Sequence, residues 1–177
     1  DEMIDKLDEK FRPCVGAMII NDKSQIWIGK RITKIKKEGL EEISNYKDRK
    51  LWQMPQGGID PGEEPEEAVF REVYEETGLK DIKILAVSDH WYQYKIPKTI
   101  LNNYKGKFVG QTQKWFLLQH LGSDNDVNLV PDENSGNYQE FADWKWENPE
   151  KILDQVIDFK TETYKKVLKE FENIRML

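Results

Sequence analysis

The sequence predicts a single α+β domain, and three observations carry that expectation. Runs rich in β-formers or in apolar/polar alternation lie at residues 12–20, 25–30, 82–88, 91–96, 113–121 and 141–146. Apolar residues at helical spacing lie instead at 65–77 and 160–173. The chain has 177 residues, 38% hydrophobic and 11% aromatic with six Trp, enough for one core and too apolar for a disordered chain.

Taken in order, residues 12–20 and 25–30 flank Asn21-Asp22-Lys23-Ser24, which reads as a hairpin turn. Residues 31–50 are highly charged and without a period, so a surface loop is expected, with a helical turn near 38–46. The helix at 65–77 opens on Pro65, carries acids in its first turn and stops at Gly78. On it Val69, Val73 and Thr77 form one stripe, with Phe70 and Tyr74 beside it. Residues 97–112 and 122–138 read as loops, 149–155 as a short helix started by Pro149, and 160–173 as a longer one bearing Tyr164, Val167, Leu168 and Phe171. One domain is expected over 1–177, with its core at about 11–171 and residues 1–10 as an N-terminal extension.

Charge and cysteine content narrow the classes. There are 27 Lys+Arg against 33 Asp+Glu, a formal charge of −6, which argues against coating nucleic acid by bulk positive charge. The lone Cys14 excludes an internal disulfide or a cysteine zinc cluster and fits a reducing cytoplasm. No apolar run reaches the roughly 18–20 residues of a membrane span. No charged segment followed by an apolar stretch stands at the start, so no export signal is expected.

The stretch 57–79, GGIDPGEEPEEAVFREVYEETGL, carries the chemistry. On the expected helix Glu72, Glu75 and Glu76 stand at i, i+3 and i+4, so their carboxylates share one face. Such a face has two readings: a solvated acidic surface, or an oxygen cluster suited to Mg²⁺ or Mn²⁺. The preceding Gln56-Gly57-Gly58 and Pro61-Gly62 allow close backbone approach, and Arg71 sets a cation beside the acids.

This segment resembles the signature of the Nudix hydrolases: glycine, five residues, glutamate, seven residues, Arg-Glu, an aliphatic, any residue, Glu-Glu, any residue, glycine, aliphatic. Gly57, Glu63, Arg71, Glu72, Val73, Glu75, Glu76, Gly78 and Leu79 meet every specified position. The resemblance implies an α/β/α sandwich around a mixed sheet, with the signature as loop–helix–loop. It also implies metal-dependent hydrolysis of a nucleoside diphosphate linked to another moiety. Glu72, Glu75 and Glu76 would be metal ligands with Gly57 beside them, and Glu76 or Glu72 would orient or deprotonate the attacking water. Glu63 and Arg71 would form an ion pair that positions the helix.

Flanking residues resemble one branch of that family, the bacterial RNA pyrophosphohydrolases and the related diadenosine polyphosphate hydrolases. They are Arg12-Pro13, Gly29-Lys30-Arg31, Trp52 through Ile59, Gly110-Gln111, Gln113 through Phe116, Glu140-Phe141, Trp144-Lys145-Trp146 and Phe159-Lys160. The likeness implies Glu140 as a further metal-linked carboxylate, and Arg12 and Phe159 as residues that sandwich a nucleobase, flanked by Ile157 and Lys160. Lys30, Arg31 and Lys114 would meet the polyphosphate or stay solvated. Gln56, Gln111 and Gln113 suit phosphate or base edges, with a strand-entry role open for the latter two. Trp115, Trp144 and Trp146 read as core.

The 31–50 loop is longer than this branch's pattern, and which of Lys34, Lys36, Lys37, Lys47, Arg49 or Lys50 touches phosphate stays open. Thr161 stands where many members have Arg. The expected function is Mg²⁺-dependent (Mn²⁺ also fitting) removal of pyrophosphate or phosphate from the 5′ end of tri- or diphosphorylated RNA, a step in mRNA decay, by a cytoplasmic monomer. The alternatives are asymmetric hydrolysis of dinucleoside polyphosphates, and an inactive nucleotide or RNA sensor.

Overall fold

Strand β1 (Phe11–Ile20) is the element around which the sheet forms, and every residue from Cys14 to Ile20 along it is buried. Such a run belongs to a strand covered on both faces. A computed structural model describes residues 10–32, 50–98 and 107–175. Residues 1–9 of the expected extension and 33–49 of the expected loop, including its helical turn near 38–46, lie outside them.

On one edge β1 pairs in parallel with β6 (Gly110–His120), from Phe11 opposite Gly110 to Ile20 opposite Gln119. Its other edge is shared. Ile20 meets Ile26 of the antiparallel strand β2 (Ile26–Arg31), whereas Cys14, Val15 and Gly16 meet Gly58, Gly57 and Gln56 of β4 (Gln56–Gly58). Strand β3 (Trp52–Gln53) and β7 (Phe141–Glu147) pair with β2, and β5 (Ile82–Lys95) closes the far side on β6. The result is a mixed seven-stranded sheet. The turn from β1 to β2 is held by Asn21 Oδ1, which accepts the amides of Lys23 (3.0 Å) and Gln25 (2.9 Å).

Helix α1 (Pro65–Thr77) has the expected bounds. Pro65 occupies its first turn, Glu67 accepts the Glu64 amide at 3.2 Å, and Gly78 ends it at φ +78°, its N–H donating to Tyr74 O. Its Ala68, Val69 and Val73 pack with Val15, Ile19, Trp27 and Phe116 on one face of the sheet. On the other face Tyr164, Val167 and Leu168 of α2 (Thr161–Glu170), with Phe171 beyond it, meet Met18, Ile28, Trp115 and Leu117. These two apolar layers make the α/β/α sandwich.

Some elements differ from expectation. The strands expected at 82–88 and 91–96 are one, β5, which ends at Lys95; register shifts against β6 between Ile84 and Ala86 and between Val87 and Trp91 bend it without breaking it. The helix expected at 149–155 is a single 3₁₀ turn, Pro149–Lys151. The helix expected at 160–173 is divided at Phe171, after which the short α3 (Glu172–Arg175) begins. Trp115 is fully buried, but Trp144 and Trp146 are only half-buried, Trp144 stacking on Trp27 at 6.1 Å. Among the described residues no helix is long and apolar enough to cross a membrane.

The N-terminal ends of β1 and β6 lie at the same end of the sheet as the C-terminal ends of β2 and β5, because β1 and β6 are parallel and the other two run against them. The short segment 52–58 crosses this end and is fixed from below: buried Tyr164 accepts the Met54 amide at 2.8 Å. Removing that hydroxyl strands a buried N–H. Tyr164→Phe is therefore expected to lower the unfolding free energy by about 1–3 kcal/mol in urea with an unchanged m-value. A loss within about 0.3 kcal/mol of zero would contradict this role.

Candidate active site

Helix α1 presents its acids around one arginine. Arg71 grips Glu63 with two hydrogen bonds of 2.8 Å, from Nε to Oε2 and from Nη2 to Oε1. Its Nη2 also reaches Gly58 O at 2.9 Å, and Nη1 reaches Glu72 at 2.8 Å and Glu75 at 3.3 Å. One guanidinium thus joins the 58–63 loop to two acids of the helix, using the fork geometry that lysine lacks. Opposite it, the helix touches β4. A Cβ on Gly57 would fall 2.1 Å from the Glu72 carboxylate, so only glycine lets the strand come this close.

A cavity of about 330 Å³ opens at the end of the sheet where these elements meet. Glu72, Glu76 and Glu140 line it, with Gln53, Gln56, Gly57 and Gly58 of the 52–58 segment. Three cations face it, Arg12, Arg31 and Lys160, and so do Tyr94, Ile96, Gln111 and Phe159. Phe159 sits 5.7 Å from Tyr94, ring centre to ring centre, at 44°. The Arg12 guanidinium lies directly over Gly58.

The electrostatics of the cavity are those of charges short of solvent. Burial raises Glu76 well above the carboxylate range, and repulsion from Glu72 and Glu140 adds to it against one hydrogen bond from the Gln56 amide. Glu72 is raised to about 7 by burial, despite its bond to Arg71. Lys160 is pulled down to about 7 by burial and by Arg31, against attraction to Glu140 and Glu76, while its Nζ donates to Gln53 Oε1 at 2.8 Å. Glu63, its side chain largely covered and bonded to Arg71, is lowered.

Glu76 Oε2 is buried and has no hydrogen-bond partner. A buried carboxylate oxygen left in this way carries a desolvation penalty that a cation would offset. Among the described residues no three carboxylate, imidazole or thiolate groups converge, as they stand, on one point suited to a metal ion. The donor set nevertheless fits a hard divalent cation: Glu72, Glu76 and Glu140 offer oxygen alone, and β4 lies against Glu72 at Gly57.

The expected residues divide in two. The cavity brings together Glu72, Glu76, Glu140, Gly57, Gln56, Arg12, Arg31, Gln111, Phe159 and Lys160. It does not include Glu75, which points toward Arg71 and a separate groove of about 190 Å³ with Tyr74, Gly78, Asn128 and Asp132. Successive helix positions lie about 100° apart, and here the Glu75 carboxylate is turned to Arg71 while that of Glu76 enters the cavity. Lys30 and Lys114 are also outside the cavity. Neighbours on a strand point to opposite faces, so Arg31 enters while Lys30 does not, and Gln111 and Gln113 lie opposite Lys114, whose ammonium stands 5.9 Å from the Trp91 ring. Ile157 is buried behind the wall with Leu51, and Phe159 and Ile96 pack against them. Lys50 is held by Asp158 at 2.7 Å. The sequence names Gln53 and Gly58 only as members of the 52–59 stretch and gives them no site role, and it misses Tyr94 and Ile96; the run Trp91, Tyr92, Gln93 and Tyr94 is the one available signal for Tyr94.

Comparison with known proteins agrees with this geometry. The model of the NUDIX domain family matches residues 10–171. The chain is 41% identical over 165 residues to an RNA pyrophosphohydrolase of Afipia carboxidovorans, covering 93% of each chain. It is 36% identical over 174 residues to one of Bartonella clarridgeiae, covering 98% of this chain and 96% of the other. Among solved structures, a NUDIX hydrolase from Nitrosomonas europaea shares the fold, with a TM-score of 0.59 at 17% identity over 94% of this chain and 91% of that one.

A carboxyl whose pKa is higher folded than unfolded holds more protons in the folded state, so stability falls as pH rises between the two values. With Glu72 raised to about 7 and Glu76 also raised by burial, the metal-free protein is expected to lose stability as pH rises from about 5 to 7.5. Glu76→Gln is expected to raise its Tm at about pH 7.5 by about 2–4 °C. Millimolar Mg²⁺ is expected to raise the wild-type Tm more at the upper pH than at the lower. Differential scanning calorimetry checks all three, and an equal Mg²⁺ effect at both pH values would contradict the reading.

Proposed function

The chain belongs to the NUDIX domain family, and on that premise we propose that it is a divalent-metal-dependent hydrolase that removes pyrophosphate, or phosphate, from the 5′ end of tri- or diphosphorylated RNA. One catalytic domain over about 11–171 does this work. The observation that carries the reading is the composition of the cavity: a buried acidic group, three cations and two aromatic rings share one opening. Likeness to the RNA pyrophosphohydrolases over nearly the whole chain supports the substrate class.

In this reading the terminal nucleobase lies against Phe159 and Tyr94 with the Arg12 guanidinium beside it, since every base has a face that stacks. The 5′ phosphates then extend past Arg31 and Lys160 toward the acids. Glu72, Glu75, Glu76 and Glu140, with the Gly57 backbone, would hold Mg²⁺ or Mn²⁺, Glu75 lying outside the cavity and joined to Glu72 through Arg71. A bound cation of this kind supplies charge neutralisation on the polyphosphate and makes water more acidic. Glu76, its proton affinity raised by burial, takes the proton of the attacking water or orients it, with Glu72 as the neighbouring candidate. Water adds in line at phosphorus, the anhydride bond breaks, and pyrophosphate and a 5′-monophosphorylated RNA result. Arg71 and Glu63 hold the helix at its working position and take no part in bond making.

A short 5′-triphosphorylated RNA with Mg²⁺ is expected to lose pyrophosphate without internal cleavage, and Glu76→Gln to slow the reaction by about 10²–10⁴-fold. Phe159→Ala is expected to raise KM by about 5- to 100-fold with a smaller change in kcat. Intact RNA after incubation with the wild-type protein would overturn the substrate assignment. A higher specificity constant on diadenosine tetraphosphate than on RNA would move it to the dinucleoside polyphosphates.

A further inference from the structure

Behind the cavity wall lies a buried amide that no part of the chemistry above uses. Gln113 on β6 has no exposed surface. Its Oε1 accepts the indole N–H of Trp115 at 2.9 Å. Its Nε2 donates to Gln56 Oε1 at 3.1 Å and Gln111 Oε1 at 3.0 Å, with a longer approach of 3.4 Å to the Tyr94 hydroxyl. Gln111 Oε1 further accepts the Tyr94 hydroxyl at 2.9 Å and Gln56 Nε2 at 3.4 Å.

The direction of this network follows from its innermost member. An indole N–H can only donate, so Gln113 must turn its oxygen to Trp115. Its NH₂ group then faces the cavity side, where only acceptors satisfy it. Gln56 and Gln111 consequently turn their carbonyl oxygens inward. What they are left to offer the cavity is N–H. Among the described residues the only hydrogen bond that either of these NH₂ groups makes is the 3.4 Å one from Gln56.

We propose that Gln113, oriented by Trp115, is a positioning residue that fixes the wall formed by Gln56 and Gln111 as a surface of hydrogen-bond donors for the phosphoryl oxygens of the substrate. The inference rests on the cavity being the substrate site. An ionised phosphoryl oxygen accepts hydrogen bonds and has no proton to donate, so a wall that cannot rotate its amides matches it and rejects groups that would donate. Gln56 stands at the phosphate end, its backbone N–H bonding to the Glu76 carboxylate and the next residue, Gly57, lying against Glu72, while Gln111, which accepts the Tyr94 hydroxyl, extends the wall toward the rings. The wall is preorganised, because the amides are already turned before substrate arrives.

Gln113→Glu tests this. A carboxylic acid has at most one proton to donate and a carboxylate none, where the amide has two, so at least one of Gln56 and Gln111 is released to rotate. On a 5′-triphosphorylated RNA, KM is expected to rise about five- to tenfold while kcat stays within about twofold. The rise should be equal for RNAs that begin with A, G, C or U. Trp115→Phe keeps Gln113 but removes the donor that orients it, and should raise KM about threefold with the same split. Without any substrate, the carboxamide NH₂ resonances of Gln56 and Gln111 in ¹⁵N-labelled protein should shift in Gln113→Glu. Unchanged KM in both variants overturns the proposal, as does a fall in kcat at constant KM, or a KM rise confined to one leading base. If the wild-type protein hydrolyses neither RNA nor a dinucleoside polyphosphate, the proposed function fails, and the resonances alone decide the amide orientation: unmoved, they overturn it.

Discussion

The structure around the cavity depends on how the guanidinium of Arg71 is shared. Its donors go to Glu63, Gly58 O, Glu72 and Glu75, so loop, strand end and helix are fixed by one side chain. The grip on Glu63 sets where the 58–63 loop enters α1. That entry in turn sets how near β4 can lie to Glu72. The contact is close enough that Gly57 admits no side chain. Because Arg71 also shields Glu72 and Glu75 from each other, three acids can stand within one turn and a half of helix without unwinding it.

What Arg71 does not reach is Glu76. Buried, repelled by Glu72 and Glu140 and with one oxygen unpartnered, it is a group whose stability depends on what else occupies the site. A residue selected for folding alone would not be an ionisable one here. The formal charge of −6 gains a different meaning in this light. Much of it is gathered at Glu63, Glu64, Glu66, Glu67, Glu72, Glu75 and Glu76, and the acids that face the cavity share it with Arg12, Arg31 and Lys160. A cation at those acids would turn a surface that repels phosphate into one that holds it. Binding by bulk charge remains excluded; binding by placed charge does not.

The elements that could be read from the sequence are those whose cause is local. Helix α1 begins at Pro65, ends before Gly78 and carries the signature, all within one stretch of chain, and its bounds match the reading. The bend of β5 comes instead from register shifts against β6, so its unity as one strand has no local mark. The same holds for the cavity. Glu72 and Glu76 were legible from spacing, whereas Tyr94 and Gln53 join them only because β5 pairs with β6 and Lys160 reaches across to the 52–58 segment. Strand alternation separates Arg31 from Lys30 and Gln111 from Lys114, a distinction that a count of basic residues cannot make. The 3₁₀ turn at Pro149–Lys151 shows the reverse error, a good helix start with nothing behind it to extend the helix.

The proposed chemistry requires a divalent cation among Glu72, Glu76, Glu140 and the Gly57 backbone, with Glu75 adjoining through Arg71. The most direct test is an anomalous difference map from a crystal of the protein soaked in Mn²⁺. A peak among these four residues, lost in Glu76→Gln, is the predicted result. An absence of any peak there at millimolar Mn²⁺, or a peak that leaves Glu76 without a ligand, would contradict it.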